Sequence, residues 1–180
     1  MERRFVGASF VLVMILGLGT LSAGSGMEKP GSPVEGKFHL LQKYKIGGDG
    51  SWDYLTIDSA ARLMYISRAT RVMIMNVDTG AIVGEIPDTN GVHGIALAPE
   101  FGKGFVSAGR DRKVVIFDLK TGKTTGEAQA GANPDAIIYD DASKRVFAFN
   151  GGSSDATAID AATGNVAGTI PLAGKPEFAA

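Results

Sequence analysis

The chain has 180 residues, of which 44% are apolar and 21% are charged, and its formal net charge is −1. This composition is typical of a folded globular protein and excludes collagen-like and disordered chains, while the lack of a basic excess argues against a nucleic-acid partner. No cysteine is present, which excludes a disulfide framework, a thiolate metal site and a lipoprotein anchor.

The N-terminus has the three-part order of a secretory signal peptide. A pair of arginines precedes an uncharged apolar run at 5–21, and small residues follow at 22–26. We therefore predict that residues 1–26 are a signal peptide, that the protein is exported to the periplasm or the extracellular space, and that no stable membrane insertion remains after cleavage. An uncleaved membrane anchor is the alternative, because the apolar run approaches the ~20 residues that a spanning helix needs.

The next two segments lead into the ordered part of the chain. Residues 27–37 contain two prolines, two glycines and alternating charges, so we predict a flexible leader there. The segment Leu40–Ile46, followed by a glycine-rich turn, resembles the fourth strand of a unit whose first three strands are missing. We therefore assign residues 38–50 as a closing strand, which strands from the C-terminal end of a longer chain would complete.

A repeat of 42 residues organises the rest of the chain. The segments Asn76–Gly80, Asp118–Gly122 and Asp160–Gly164 each end in Thr-Gly and follow one another at that spacing. Glycine after a type I turn closes a short hairpin, so this motif is predicted to join the third and fourth strands of each unit. Four short strands are predicted in each of the repeats at 52–91, 92–133 and 134–175, and residues 176–180 resemble the start of a fourth repeat.

Four antiparallel strands in about 42 residues match one blade of a β-propeller. The segments Gly94–Glu100, Val114–Asp118 and Gly168–Pro171 resemble the YVTN-type repeat of the YncE-like propeller family. The predicted fold class is therefore all-β, with about three four-stranded antiparallel blades over residues 38–180 as a partial propeller. We expect a truncated sequence from a parent of six or seven blades; the alternative is a three-blade module that closes by self-association.

Repeat alignment places Asp53, His93, Asp135 and Glu177 at one equivalent position, at the start of the innermost strand of successive blades. In a propeller such positions surround one mouth of the central channel, so three carboxylates and one imidazole are predicted to converge there. This set is our candidate ligand or metal site, with a divalent cation as the expected cofactor. The alternative is that each side chain caps its own turn. Trp52 adjoins the first of the four and is predicted either to stack on a ligand or to pack between blades.

The remaining polar residues identify no catalytic set. The two histidines are His39 and His93 and no G-x-S-x-G elbow occurs, which argues against a serine hydrolase. No glycine-rich turn leads from a strand into a helix, which argues against nucleotide binding. Two hairpins offer hydrogen-bond donors that suit an anion, and the alternative is that their charges are only solvated turn residues. These hairpins carry Arg68, Arg71, Arg110, Asp111 and Arg112.

We therefore predict a non-enzymatic binding or scaffold protein with no catalytic residues, whose small-molecule or protein partner is unknown. The alternative is an enzyme or a redox-enzyme subunit, because the fold resembles quinoprotein and lactonase propellers, whose metal-bound sites also occupy the channel mouth. Further carboxylates or histidines at the same position of additional blades would favour the enzyme.

Overall fold

The computed structural model describes residues 40–178. The predicted signal peptide at 1–26, the leader at 27–37 and the first residues of the closing strand therefore lie outside the described residues, as do the last two residues of the chain. Among the described residues, no helix is long and apolar enough to cross a membrane.

Three four-stranded antiparallel sheets form the described part, and within each sheet neighbouring strands are consecutive in sequence. The first sheet contains β1 (Trp52–Asp58), β2 (Leu63–Arg68), β3 (Arg71–Asn76) and β4 (Ile82–Ile86). The second contains β5 (Val92–Ala98), β6 (Lys103–Ala108), β7 (Lys113–Asp118) and β8 (Thr124–Gln129). The third contains β9 (Pro134–Asp140), β10 (Arg145–Asn150), β11 (Asp155–Asp160) and β12 (Val166–Pro171). The predicted all-β class and its three four-stranded blades are confirmed.

The hairpin between the second and third strands is two residues shorter in the first blade than in the other two. In the first blade Arg68 pairs directly with Arg71 across a tight turn. In the second blade a short 3-10 helix, Gly109–Asp111, fills the same connection. In the third blade, Asn150 pairs with Asp155, the first residue of β11, across a four-residue turn. These differences lie in turns and leave the strand ladders intact.

The repeated Thr-Gly turns all use the same local hydrogen bonds. The side-chain oxygen of Asn76, Asp118 or Asp160 accepts a hydrogen bond from the backbone N–H of the threonine three residues later, at 3.0, 2.8 and 2.8 Å. The glycine that follows each threonine has φ between 68° and 81°, a left-handed conformation that glycine adopts without strain. A side-chain acceptor and a glycine at fixed spacing therefore close each hairpin between the third and fourth strands.

Alternating side chains on each strand join the sheets into one stack. In β7, Val115 and Phe117 belong to the core shared with the first sheet, whereas Val114 and Ile116 belong to the core shared with the third. The first strands of the three sheets are neighbours, because β1 contacts β5 and β5 contacts β9. This is the radial arrangement of propeller blades around an axis, with the first strand of each blade innermost.

The outer face of the first sheet is only partly covered. Residues 42–51 contain no strand, but Tyr44 and Ile46 pack against that face, and the Tyr44 hydroxyl donates a hydrogen bond to the carbonyl of Asp78 at 2.9 Å. Leu55 and Ile57 on the same sheet remain 54% and 55% exposed. The predicted closing strand would need the other three strands of its own blade as hydrogen-bonding partners. The closing strand at 38–50 therefore stays a prediction.

Candidate functional site

Three of the four aligned polar residues lie together at one end of the innermost strands. Asp53, His93 and Asp135 are each the second residue of their strands, β1, β5 and β9. One ligand atom from each of them lies within 4.8 Å of the other two. His93 Nδ1 is 2.7 Å from Asp53 Oδ2 and 3.8 Å from Asp135 Oδ1. The repeat register thus brings an imidazole between two carboxylates that are far apart in sequence.

Each of these positions lies within a β-bulge. In β1 the ladder register shifts between Trp52 and Leu55, and in β5 it shifts between Val92 and Ile95. In the third blade the pairing of β9 with β10 shifts at the corresponding place, between Ala148 and Asn150. A bulge places an extra residue on one strand and re-aims its side chain, which regular pairing would not permit.

Buried serines on the second strands hold the bulges, and sequence reasoning missed them. Ser67 Oγ accepts hydrogen bonds from the N–H groups of Asp53 and Tyr54, at 3.1 and 2.7 Å. Ser107 Oγ accepts from the N–H of Gly94 at 2.9 Å and donates to the carbonyl of Asp135 at 2.6 Å. Ser107 therefore links the second blade to the third directly beside the site. The recurrence of serine as the fifth residue of β2 and β6 was the available signal.

The surroundings of Asp135 favour its neutral form. Burial raises the pKa of Asp135, the charges of Asp53 and Glu177 raise it further, and His93 and Lys175 oppose that rise. His93 Nδ1 lies 2.7 Å from Asp53 Oδ2, so a proton on Nδ1 is donated to that carboxylate, whereas a proton on Nε2 leaves the Nδ1 lone pair facing it. Converging lone pairs and like charges repel one another, and a cation or a proton among them removes the repulsion.

Glu177 and Trp52, the other two predicted site residues, supply no ligand atom to this cluster. Glu177 follows β12 in a segment without a strand, and its carboxylate pairs with Lys175. Trp52 is 72% exposed, so its indole is not packed between blades in the described part of the chain. It lies at the wall of a cleft beside the cluster. It also borders a larger apolar groove on the outer face of the first sheet.

The cleft beside the cluster has a volume of about 240 Å³. Asp53 and His93 line it together with Trp52, Arg110 and Asn133. Sequence reasoning missed the contribution of Asn133. Asn133 lies two residues before Asp135, just as Gly91 lies two residues before His93, and both residues have a positive φ. The cleft therefore combines oxygen and nitrogen ligands, one guanidinium and an exposed aromatic ring.

Arg68 and Arg71, two of the other predicted hairpin donors, are engaged within the fold. Arg68 is buried and donates through Nη2 to the carbonyl of Asp49 at 3.1 Å. Arg71 forms an ion pair with Glu85 at 3.0 Å. Neither residue lines the cleft, so of these arginines Arg110 is the one that borders it.

Comparison with solved structures shows the same fold. Hydrazine synthase of Kuenenia stuttgartiensis superposes with a TM-score of 0.68 at 15% identity, covering 78% of this chain and 42% of that chain. Apo AztD from Citrobacter koseri gives a TM-score of 0.60 at 14% identity, covering 78% and 41% of the two chains. Dihydro-heme d1 dehydrogenase NirN in complex with DHE gives 0.53 at 22% identity, covering 61% and 24%.

These similarities extend to the fold alone, because identities this low do not carry a site or an activity between propellers. The chain spans less than half the length of each of these proteins. No family model and no curated protein matches the chain. The partial β-propeller is therefore the shared feature, and the proposed function depends on the geometry at the mouth.

Proposed function

We propose that the chain is an exported, non-enzymatic propeller module that binds a divalent cation at the channel mouth through Asp53, His93 and Asp135. The observation that carries this proposal is the convergence of their ligand atoms within 4.8 Å of one another. Export is supported by the basic, apolar and small-residue order of residues 1–26. A binding role is supported by the absence of a nucleophile and base pair from the sequence.

The spacing of the ligand atoms is close to that of a metal site. A tetrahedral zinc ion with ligands at 2.0–2.2 Å separates them by about 3.4 Å. The observed separations of 2.7 and 3.8 Å from His93 Nδ1 lie on either side of that value, so small side-chain rotations suffice. One nitrogen and two carboxylate oxygens favour zinc or another transition metal over calcium, which prefers six to eight oxygens.

The rival function, an enzyme or redox-enzyme subunit, has weaker support. Two of the similar structures are named as a synthase and a dehydrogenase, but they share only the fold with this chain. Among the described residues, no contact at the channel mouth favours catalysis over simple binding of a ligand.

Metal titration of the full chain tests the proposal. At a free Zn²⁺ concentration 100 times Kd, a site present only in the native state adds about 2.7 kcal/mol of stability. For a chain of this size each kcal/mol raises Tm by roughly 2–4 °C. Calorimetric titration and thermal denaturation should show Zn²⁺ binding and this rise in the parent, with weaker effects from Ca²⁺ and Mg²⁺.

The double variant Asp53→Asn with Asp135→Asn should keep the fold and lose the Zn²⁺-dependent rise in Tm. The matched control is Asp88→Asn with Asp141→Asn, which makes the same change in charge at two exposed carboxylates outside the cluster. The control should respond to Zn²⁺ as the parent does. An unchanged response in the Asp53 and Asp135 variant would show that these side chains only cap their turns.

A further inference from the structure

We infer that the cleft beside the metal cluster binds a small carboxylate with a flat apolar body, whose carboxylate bridges the bound cation and Arg110. This inference rests on the proposed function, because it requires a cation held by Asp53, His93 and Asp135. It adds a ligand class and assigns separate roles to Arg110 and Trp52.

The cation leaves room for an external ligand. Three protein ligands complete no common metal geometry, so at least one position stays open to water or to another donor. The carboxylates of Asp53 and Asp135 already balance a doubly charged ion when His93 is neutral. An incoming carboxylate that replaces one bound water therefore brings a net negative charge, which a nearby fixed cation would stabilise.

Arg110 supplies that cation at the wall of the cleft. The Arg110 side chain lies against Gly91, where an added Cβ would be 2.7 Å from Arg110 Cγ and 3.0 Å from its backbone nitrogen. Gly91 also has φ of 64°, so two constraints favour glycine there. Within residues 40–178, Arg62 and Arg71 pair with carboxylates, whereas Arg110 forms no ion pair. Arg110 thus lines the cleft, and no described carboxylate lies within ion-pair distance of its guanidinium.

Trp52 and the cleft volume define the rest of the ligand. The indole is 72% exposed at the cleft wall, and its face offers a stacking surface for a planar apolar group. The volume of about 240 Å³ is below the range of about 300–1,000 Å³ typical of sites for drug-sized molecules. Asn133 also lines the cleft, and its side-chain amide can hydrogen-bond to a polar group of the ligand. A benzoate-sized anion fits this combination.

Co²⁺ provides a spectroscopic probe, because its visible absorption changes when a bound water is replaced. The full chain loaded with Co²⁺ is titrated with benzoate and, separately, with acetate, and the metal-free chain is titrated with benzoate by calorimetry. Benzoate should shift the Co²⁺ spectrum and bind at least tenfold more weakly to the metal-free chain. Arg110→Gln should raise the Kd of both anions about tenfold, since a charge-assisted contact is lost. Trp52→Ala should raise the Kd of benzoate roughly fivefold and leave that of acetate unchanged.

Arg112→Gln is the matched control, because Arg112 belongs to the same exposed hairpin and does not line the cleft. This control should bind both anions as the parent does. If Co²⁺ binds but Arg110→Gln and Arg112→Gln give the same Kd for benzoate, the inferred anion site is wrong and the proposed cation site stands. If Co²⁺ does not bind to the parent, the proposed function fails and the inference fails with it.

Discussion

Replacing Gly104 with alanine should destabilise the packing between the first two blades, which together position Asp53 beside His93. Gly104 lies in β6 against the ring of Phe117 in β7, and an added Cβ would meet three carbons of that ring, the farthest at 2.7 Å. Unstrained carbon contacts are about 3.5–4.0 Å. Phe117 is fully buried and packs on Tyr65 of the first blade with ring centroids 5.5 Å apart. The ring therefore has little space to turn away.

Overpacking of this kind costs about 1–3 kcal/mol, and Gly→Ala at an unhindered site gains about 0.4–1 kcal/mol by restricting the unfolded chain. Gly126 in β8 is the matched control, because within residues 40–178 no heavy atom beyond its chain neighbours lies within 4 Å of its added Cβ. Restriction of the unfolded chain is common to both variants, so urea denaturation followed by far-ultraviolet circular dichroism should give Gly104→Ala a free energy of unfolding about 1–3 kcal/mol below that of Gly126→Ala.

A double-mutant cycle identifies the cause. The variant Phe117→Leu removes the ring that the added methyl group would meet. In that background Gly104→Ala should lower the free energy of unfolding by at least ~1 kcal/mol less than it does in the parent, a difference within the range of interaction energies between contacting residues. Equal costs in both backgrounds, or equal stabilities of Gly104→Ala and Gly126→Ala, would refute the steric argument.

Three further predictions concern export, association and acid stability. Cleavage should fall between Ala23 and Gly26, as N-terminal sequencing of the exported protein can show; Met1 retained on a membrane-embedded product would contradict it. The exposed apolar face of the first sheet should cause concentration-dependent self-association, which sedimentation experiments can measure. The double variant Leu55→Lys with Ile57→Lys should reduce this association, whereas a parent that is monomeric at all concentrations would argue against it. Hydrogen bonds from Thr121 lower the pKa of Asp118, so its contribution to stability is present above the unfolded-state pKa and lost as pH falls through the folded-state pKa. The pKa of Asp135 is raised, chiefly by burial, so its sign is opposite, and in the metal-free chain Asp135→Asn should raise Tm above the folded-state pKa while Asp118→Ala lowers it; Tm profiles of the same shape for both variants would contradict this assignment.

Local sequence was sufficient for the strands and their turns. The acceptor side chains of Asn76, Asp118 and Asp160 and the glycines four residues after them act within a single hairpin, so their spacing alone predicts the turn. The 42-residue repeat then places corresponding residues on successive inner strands. Because equivalent units stack in the same orientation, this register was enough to predict that Asp53, His93 and Asp135 approach one another.

The contacts that shape the site depend on the packing of one blade on the next. The bond from Ser107 to the Asp135 carbonyl joins residues of different blades, and the approach of Arg110 to Gly91 depends on how the loops meet at the mouth. Glu177 shares the repeat position of the other three residues, yet no strand ladder holds it and it pairs with Lys175 instead. The sequence by itself determined the repeating blade and the candidate ligands, because these follow from short-range turn chemistry and a constant period. Only the tertiary structure decided which ligands converge and what lines the cleft, because those distances are set by contacts between blades that are far apart in sequence.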